Sequence, residues 1–125
     1  MATAEASLEL YKLTDRDIFL QSVRRWVKVI DNNSPSRLHI AAYAEQYGRC
    51  ISFLTKAGRK LKDEKLLRLA HELADEATKR LFDNGMFSGF AGSHMYESVD
   101  GVGYLCLALI SLETNEDIES YGLDF

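Results

Sequence analysis

The residues most able to do chemistry lie in a glycine-rich passage, residues 85–103. Four of its side chains can exchange protons: His94, Tyr96, Glu97 and Asp100. A His or Tyr side chain can take a proton from a substrate, and a Glu or Asp side chain can protonate a leaving oxygen. Because long structured loops in small domains are often functional, this passage is the first candidate for a catalytic site.

The same passage carries two aromatic side chains, Phe87 and Phe90, which would offer flat binding surfaces. A structural interpretation stays open beside the functional one. In that interpretation Ser98 or Asp100 caps the helix that follows, while Tyr96 and Phe90 pack against the other helices.

A second group of candidates precedes this passage. His39, Tyr43 and Tyr47 are spaced four residues apart, so they share one face of a predicted helix, and Glu45 and Arg49 lie on the same helix. The three aromatic side chains are interpreted either as binding residues that face a cavity or as core residues whose polar tips are hydrogen-bonded.

Several classes of site lack support in the sequence. The three histidines lie far apart without a Cys or carboxylate framework at ligand spacing, so no metal site is predicted. No phosphate-binding or dinucleotide-binding glycine motif occurs in a strand-to-helix context, and no cofactor is expected. The net charge is −4 and no dense basic cluster exists, which argues against a nucleic-acid partner.

The bulk properties predict a soluble globular protein. No apolar stretch is long enough to span a membrane, and residues 1–7 do not resemble a signal peptide, so a cytoplasmic location is the default expectation. Cys50 and Cys106 lie in helical patterns without a CxxC motif and are interpreted as small buried side chains.

Apolar spacing predicts four helices that position these candidates, over residues 15–30, 36–56, 63–82 and 99–112. The first and third are amphipathic, whereas the second and fourth are apolar around most of their circumference and should be enclosed. Gly58 is the predicted stop of the second helix. This alternation predicts an all-α fold, a single domain over residues 1–125, with antiparallel helix pairs in two layers.

Internal similarity supports a repeat. The apolar stripe Leu20, Val23, Val27 and Ile30 overlays Leu67, Ala70, Ala74 and Ala77 at a constant offset of 47 residues. Residues 7–14 are interpreted as the tail of an inner helix and residues 118–125 as the start of an outer one.

Three phrases carry a resemblance to a known architecture: "LELYKLTDRDIFLQSVRRWVKVI", "LKDEKLLRLAHELADEATKRLF" and "YESVDGVGYLCLALISLET". They resemble the helix pairs of (α/α) toroids, the rings of inner and outer helices found in many glycoside hydrolases, polysaccharide lyases and sugar epimerases. The resemblance implies a C-terminal section of such an enzyme, with an oligosaccharide as ligand. It also implies that the connections at residues 33–37 and 84–100 line the mouth of the ring.

A non-catalytic reading of the same pattern remains. A short array of helix pairs is also typical of an α-solenoid, a helical-repeat module that binds a protein partner. In either case the flanks of the enclosed helices should be uncovered. We therefore expect self-association, or packing on a further part of a larger chain.

Overall fold

The computed structural model describes residues 2–32, 44–83, 85–88 and 102–114. Over these residues it contains five α-helices: α1 (Ala2–Thr14), α2 (Asp17–Asn32), α3 (Ala44–Leu61), α4 (Glu64–Leu81) and α5 (Val102–Thr114). Two strands of two residues each, β1 (Phe82–Asp83) and β2 (Met86–Phe87), form an antiparallel hairpin after α4. The all-α class is confirmed, and this small hairpin is its only departure in the described part of the chain. None of the described helices is long and apolar enough to cross a membrane.

Two helix hairpins, α1–α2 and α3–α4, are built in the same way. Each is closed by a connection of two residues, 15–16 in the first and 62–63 in the second. The first residue of each connection, Asp15 or Lys62, has a φ of 53°. These two residues are 47 positions apart, as are the starts of α2 and α4. The repeat predicted from the apolar stripes therefore extends to the turns.

The α3–α4 pair is antiparallel. Tyr47, near the start of α3, is hydrogen-bonded to Glu76 near the end of α4. Gly58, near the end of α3, approaches Leu67 near the start of α4. The short turn between the two helices enforces this direction.

Helix α1 runs parallel to α3. Arg49 in the first half of α3 pairs with Glu5 in the first half of α1, at 3.8 Å between Nη1 and Oε2. Lys60 near the end of α3 pairs with Asp15 just after α1, at 3.5 Å between Nζ and Oδ1. The start of α1 therefore contacts the start of α3, and the end of α1 contacts the end of α3.

Helix α5 is also parallel to α3, on another side of it. The backbone of Gly48 lies against Leu105 near the start of α5. Arg59 donates hydrogen bonds to Ser111 near the end of α5. We call α1, α3 and α5 the inner layer, and α2 and α4 the outer helices.

The core lies around α3. Its side chains Ile51, Phe53, Leu54 and Ala57 are fully buried. Buried side chains of α4 that face the core repeat at helical spacing, and three of the six are alanine: Leu66, Ala70, Leu73, Ala74, Ala77 and Leu81. Small side chains at these positions let the two helices approach closely.

Gly58 does not end α3, so this part of the prediction was wrong. The helix continues to Leu61 and ends where Lys62 adopts a positive φ. A Cβ atom at Gly58 would lie 2.8 Å from Cγ of Leu67. The glycine is present because two helices pack closely there, and not because the chain turns.

The limits of α4 agree with the sequence. Asp63 is its N-cap, and its side chain accepts a hydrogen bond from the backbone N–H of Lys65 at 3.0 Å. Phe82 is its C-cap. A capping acceptor followed by a clear amphipathic stripe makes such a helix predictable.

Candidate functional site

Most of the site residues predicted from the sequence lie outside the described residues: His39, Tyr43, Phe90, His94, Tyr96, Glu97 and Asp100. Two predicted binding residues, Phe87 and Tyr47, lie inside them. The structure therefore describes residues 85–88 of the glycine-rich passage and residues 44–56 of the predicted second helix, but not the predicted catalytic group.

Phe87 lies on β2 of the small hairpin that follows α4. Its ring packs edge-on against Phe82, with ring centroids 5.0 Å apart and an interplanar angle of 61°. Gly85 makes the turn possible with a φ of 80°, a conformation that side chains with a Cβ rarely adopt. Because the Phe82 ring is exposed, the hairpin presents an aromatic surface at the end of α4.

Tyr47 occupies a core position, which is one of the two interpretations that its spacing allowed. Its side chain is 1% exposed and lies between α3 and α4. The hydroxyl donates to Oε2 of Glu76 at 2.6 Å and accepts from Nη1 of Arg80 at 3.3 Å. Burial, together with the hydrogen bond to Glu76, raises the pKa of Tyr47. A buried, hydrogen-bonded phenol of this kind stabilises the helix pair and is not available to a ligand.

A different group of polar residues joins all three helices of the inner layer. Arg49 of α3 donates from Nε to Oε1 of Glu45 at 3.1 Å and pairs with Glu5 of α1. Its guanidinium carbon lies 5.2 Å from the ring centroid of Tyr104 on α5. We call Glu5, Glu45, Arg49 and Tyr104 the Arg49 cluster.

The cluster is open to solvent. All four residues are partly exposed, in contrast to the buried Tyr47, which is two residues from Arg49 and on another face of α3. Glu45 and Arg49 continue into a stripe on α3 with Ser52, Lys56 and Lys60, at spacings of four, three, four and four. Because Tyr47 and Gly58 on other faces of α3 contact α4, this stripe lies on the side of the inner layer away from the outer helices. We call that side the inner face.

The Arg49 cluster and the aromatic hairpin lie at the same end of the molecule. Glu5, Arg49 and Tyr104 are near the starts of three parallel helices. Helix α4 runs the opposite way, so the hairpin at its end is brought to the same end as the starts of α3 and α5. We call this the cluster end, and the end that carries the two short connections the turn end.

The cluster has the groups that bind neutral polar ligands. Guanidinium N–H groups donate, carboxylates accept, and the Tyr104 hydroxyl can do both. The two carboxylates and the aromatic ring hold the guanidinium in one place, which lowers the cost of ordering it when a ligand binds.

Thiol chemistry and metal binding have less support among the described residues. Burial raises the pKa of the Cys50 thiol to about 11 and also raises that of Cys106. Both thiols are therefore protonated at neutral pH and are weak nucleophiles. Within the described residues no group of three His, Cys, Asp or Glu side chains could hold a metal ion. His71 is exposed on α4.

Sequence reasoning named two residues of the cluster, Glu45 and Arg49, without predicting a binding role for them. Glu45 and Arg49 stood out because they share a short stretch of one helix with the tyrosines. Glu5 and Tyr104 are 44 residues before and 55 residues after Arg49, and no local spacing connects them. Only the parallel packing of the inner helices brings them together.

Comparison with known protein families, curated proteins and solved structures finds no match to this chain.

Proposed function

We propose that the inner layer forms part of a glycan-binding cleft of the kind found in carbohydrate-active (α/α) toroids, as in glycoside hydrolases and polysaccharide lyases. The observation that carries the proposal is the Arg49 cluster, a half-exposed polar group that joins three parallel inner helices. Three helices bring these polar groups to one half-exposed point, and a few convergent polar groups are typical of ligand sites.

The chemistry of the cluster fits a sugar. A glycan presents many hydroxyl groups, which need donors and acceptors close together. Arg49 offers several N–H donors in one plane, and Glu5 and Glu45 offer acceptors on either side of it. The exposed Phe82 ring at the same end adds an apolar surface against which the C–H face of a sugar ring can lie.

Catalysis, in this proposal, belongs to the glycine-rich passage. His94 or Tyr96 would act as base in a lyase, and Glu97 or Asp100 as acid in a hydrolase. The passage starts at the cluster end, since its first residues, 85–87, belong to the β hairpin. The Arg49 cluster would then orient the substrate, and the passage would act on it.

A protein ligand is the second candidate. Its support is the mixed charge of the inner-face stripe, where Glu45 is followed by Arg49, Lys56 and Lys60. One carboxylate and three cations suit a charged peptide, whose affinity would fall steeply with added salt, whereas binding of a neutral oligosaccharide would change little.

The proposal is tested by measuring affinity for a panel of neutral and uronic-acid oligosaccharides with two matched variants, Arg49→Met and Lys60→Met. Both substitutions remove a cation from α3, one at the cluster end and one at the turn end. We expect Arg49→Met to weaken binding about tenfold or more, because hydrogen bonds from charged groups are lost. Lys60→Met should bind within about twofold of the unmodified chain.

Equal losses in the two variants, or full affinity in Arg49→Met, would contradict a glycan site at the cluster. Binding of a charged peptide but of no oligosaccharide would support the second candidate instead.

A further inference from the structure

We propose that the inner layer is extended by a second copy of this chain, with α1 of one copy packed parallel against α5 of another. The contact is head to tail, because the two surfaces lie on opposite flanks of the same layer. Its basis is the repeat of the α1–α2 and α3–α4 hairpins, and it does not depend on the glycan proposal.

The free flank of α1 is apolar. Ala6, Leu10 and Leu13 are spaced four and three residues apart, so they share one side of the helix. Leu10 is 42% exposed and Leu13 is 80% exposed. Two leucines exposed side by side on a helix are an uncovered surface, and such surfaces commonly mark contacts with another chain.

The repeat indicates which kind of element packs against this flank. At the offset of 47 residues, Ala6, Leu10 and Leu13 correspond to Phe53, Ala57 and Lys60 of α3.

Those three residues of α3 lie on the side that packs against α1. Lys60 contacts α1 directly, with Nζ 5.7 Å from the ring centroid of Tyr11. Phe53 and Ala57 share that side of the helix with Lys60 and are fully buried. On α3 this side is therefore covered by α1, the preceding parallel helix. The equivalent side of α1 is exposed.

The chain carries a parallel helix with a free apolar flank, which is α5. Leu105, Ala108 and Leu112 are buried on its side towards α3. Ile110 lies on another side of α5 and is 48% exposed. Because α1 and α5 point in the same direction, a second copy placed with its α1 on this flank continues the layer as a further parallel helix.

The test is sedimentation velocity over a range from about 10 to 500 µM, since a contact of one helix pair is small and should be weak. The unmodified chain should gain mass with concentration. Leu13→Lys and Ile110→Lys should each abolish the gain. Lysine is tolerated near the C-terminal end of a helix, so both variants should keep their helical circular dichroism spectrum. Val29→Lys, at a similarly exposed apolar residue of the outer helix α2, is the matched control and should associate like the unmodified chain.

The decisive sample is an equimolar mixture of Leu13→Lys and Ile110→Lys. Each variant retains the flank that the other has lost, so the mixture should form a dimer that grows no further. The proposal is overturned if the unmodified chain stays monomeric throughout the range. It is also overturned if either flank variant still associates alone, or if the mixture remains monomeric.

Discussion

The two ends of the helical layers are built by different means. At the turn end, each hairpin closes within two residues, and Asp63 caps α4 while accepting a hydrogen bond from Arg24 at 2.8 Å. At the cluster end, Arg49 contacts α1 and α5, and the backbone of Gly48 lies directly against α5. At the turn end the direction of each hairpin is set by neighbours in sequence, although the Arg24–Asp63 and Lys60–Asp15 pairs there also join distant residues. At the cluster end the contacts come from helices far apart in sequence.

The proposed binding site lies at the end that joins helices far apart in sequence. Local turns and caps fix the direction of each hairpin. Contacts among parallel helices place carboxylates, a guanidinium and a phenol from three helices side by side. Binding sites commonly form in this way, where elements distant in sequence converge on one surface.

The largest expected effect concerns the closest helix contact, at the cluster end. In Gly48→Ala the new Cβ would lie 2.7 Å from the backbone N of Leu105 and 2.8 Å from the carbonyl carbon of Tyr104. Backbone atoms cannot turn aside, so α5 must move away from α3. We expect a loss of about 2 kcal/mol in the free energy of unfolding, after allowing for the better helix propensity of alanine. Urea unfolding followed by circular dichroism measures this loss.

Gly58→Ala is the matched control at the other end of α3. Its Cβ would meet the side chain of Leu67, which is half-exposed and can adopt another rotamer. The clash involves Cγ of Leu67, and Cβ of the buried Leu66 lies 3.3 Å away, so part of the strain remains after the gain in helix propensity. We expect a loss of about 1 kcal/mol in the free energy of unfolding, roughly half that of Gly48→Ala. Equal destabilisation by the two substitutions would show that the ends do not differ in this respect.

A smaller, pH-dependent effect is expected at the turn end. The hydrogen bond from Arg24, with that from the backbone of Lys65, holds the pKa of Asp63 below its usual value. A carboxyl with a lowered pKa in the folded state stabilises the fold above its unfolded pKa, and this contribution is lost as pH falls through the folded pKa. Asp63→Asn should therefore cost less than about 1 kcal/mol at neutral pH, because solvent screens this exposed pair.

The pH dependence separates the charge of Asp63 from its role as a cap. Asparagine can still accept the hydrogen bond from the backbone of Lys65, so the difference between variant and unmodified chain should shrink as the pH falls below the ordinary pKa of an aspartic acid. Urea midpoints at several pH values measure it. A difference that stays constant with pH would mean that the charge contributes nothing.

The sequence predicts the turn end better than the cluster end. The limits of α4, the stripe at Ala70, Ala74 and Ala77, and the repeat of 47 residues all follow from local spacing and caps. Gly58 was misinterpreted because a glycine at a close helix contact and a glycine at a helix end look alike in a sequence.

The candidate site was only partly predictable. Tyr47 and Arg49 are two residues apart, yet one is buried against α4 and the other faces solvent beside Tyr104. Which face of an enclosed helix points outward depends on where its neighbours pack. For the same reason the contributions of Glu5 and Tyr104 could not be read from their own surroundings in the chain.

The central claim is that a glycan binds the inner face at the cluster end. The most direct measurement is a titration of the unmodified chain with neutral and uronic-acid oligosaccharides, followed by backbone amide NMR shifts. We predict the largest shifts at Glu45, Arg49 and Tyr104 and in residues 85–103, with the connection at residues 62–63 unmoved. Shifts confined to that connection and to residues 64–81 of α4, with the Arg49 cluster unmoved, would contradict the claim.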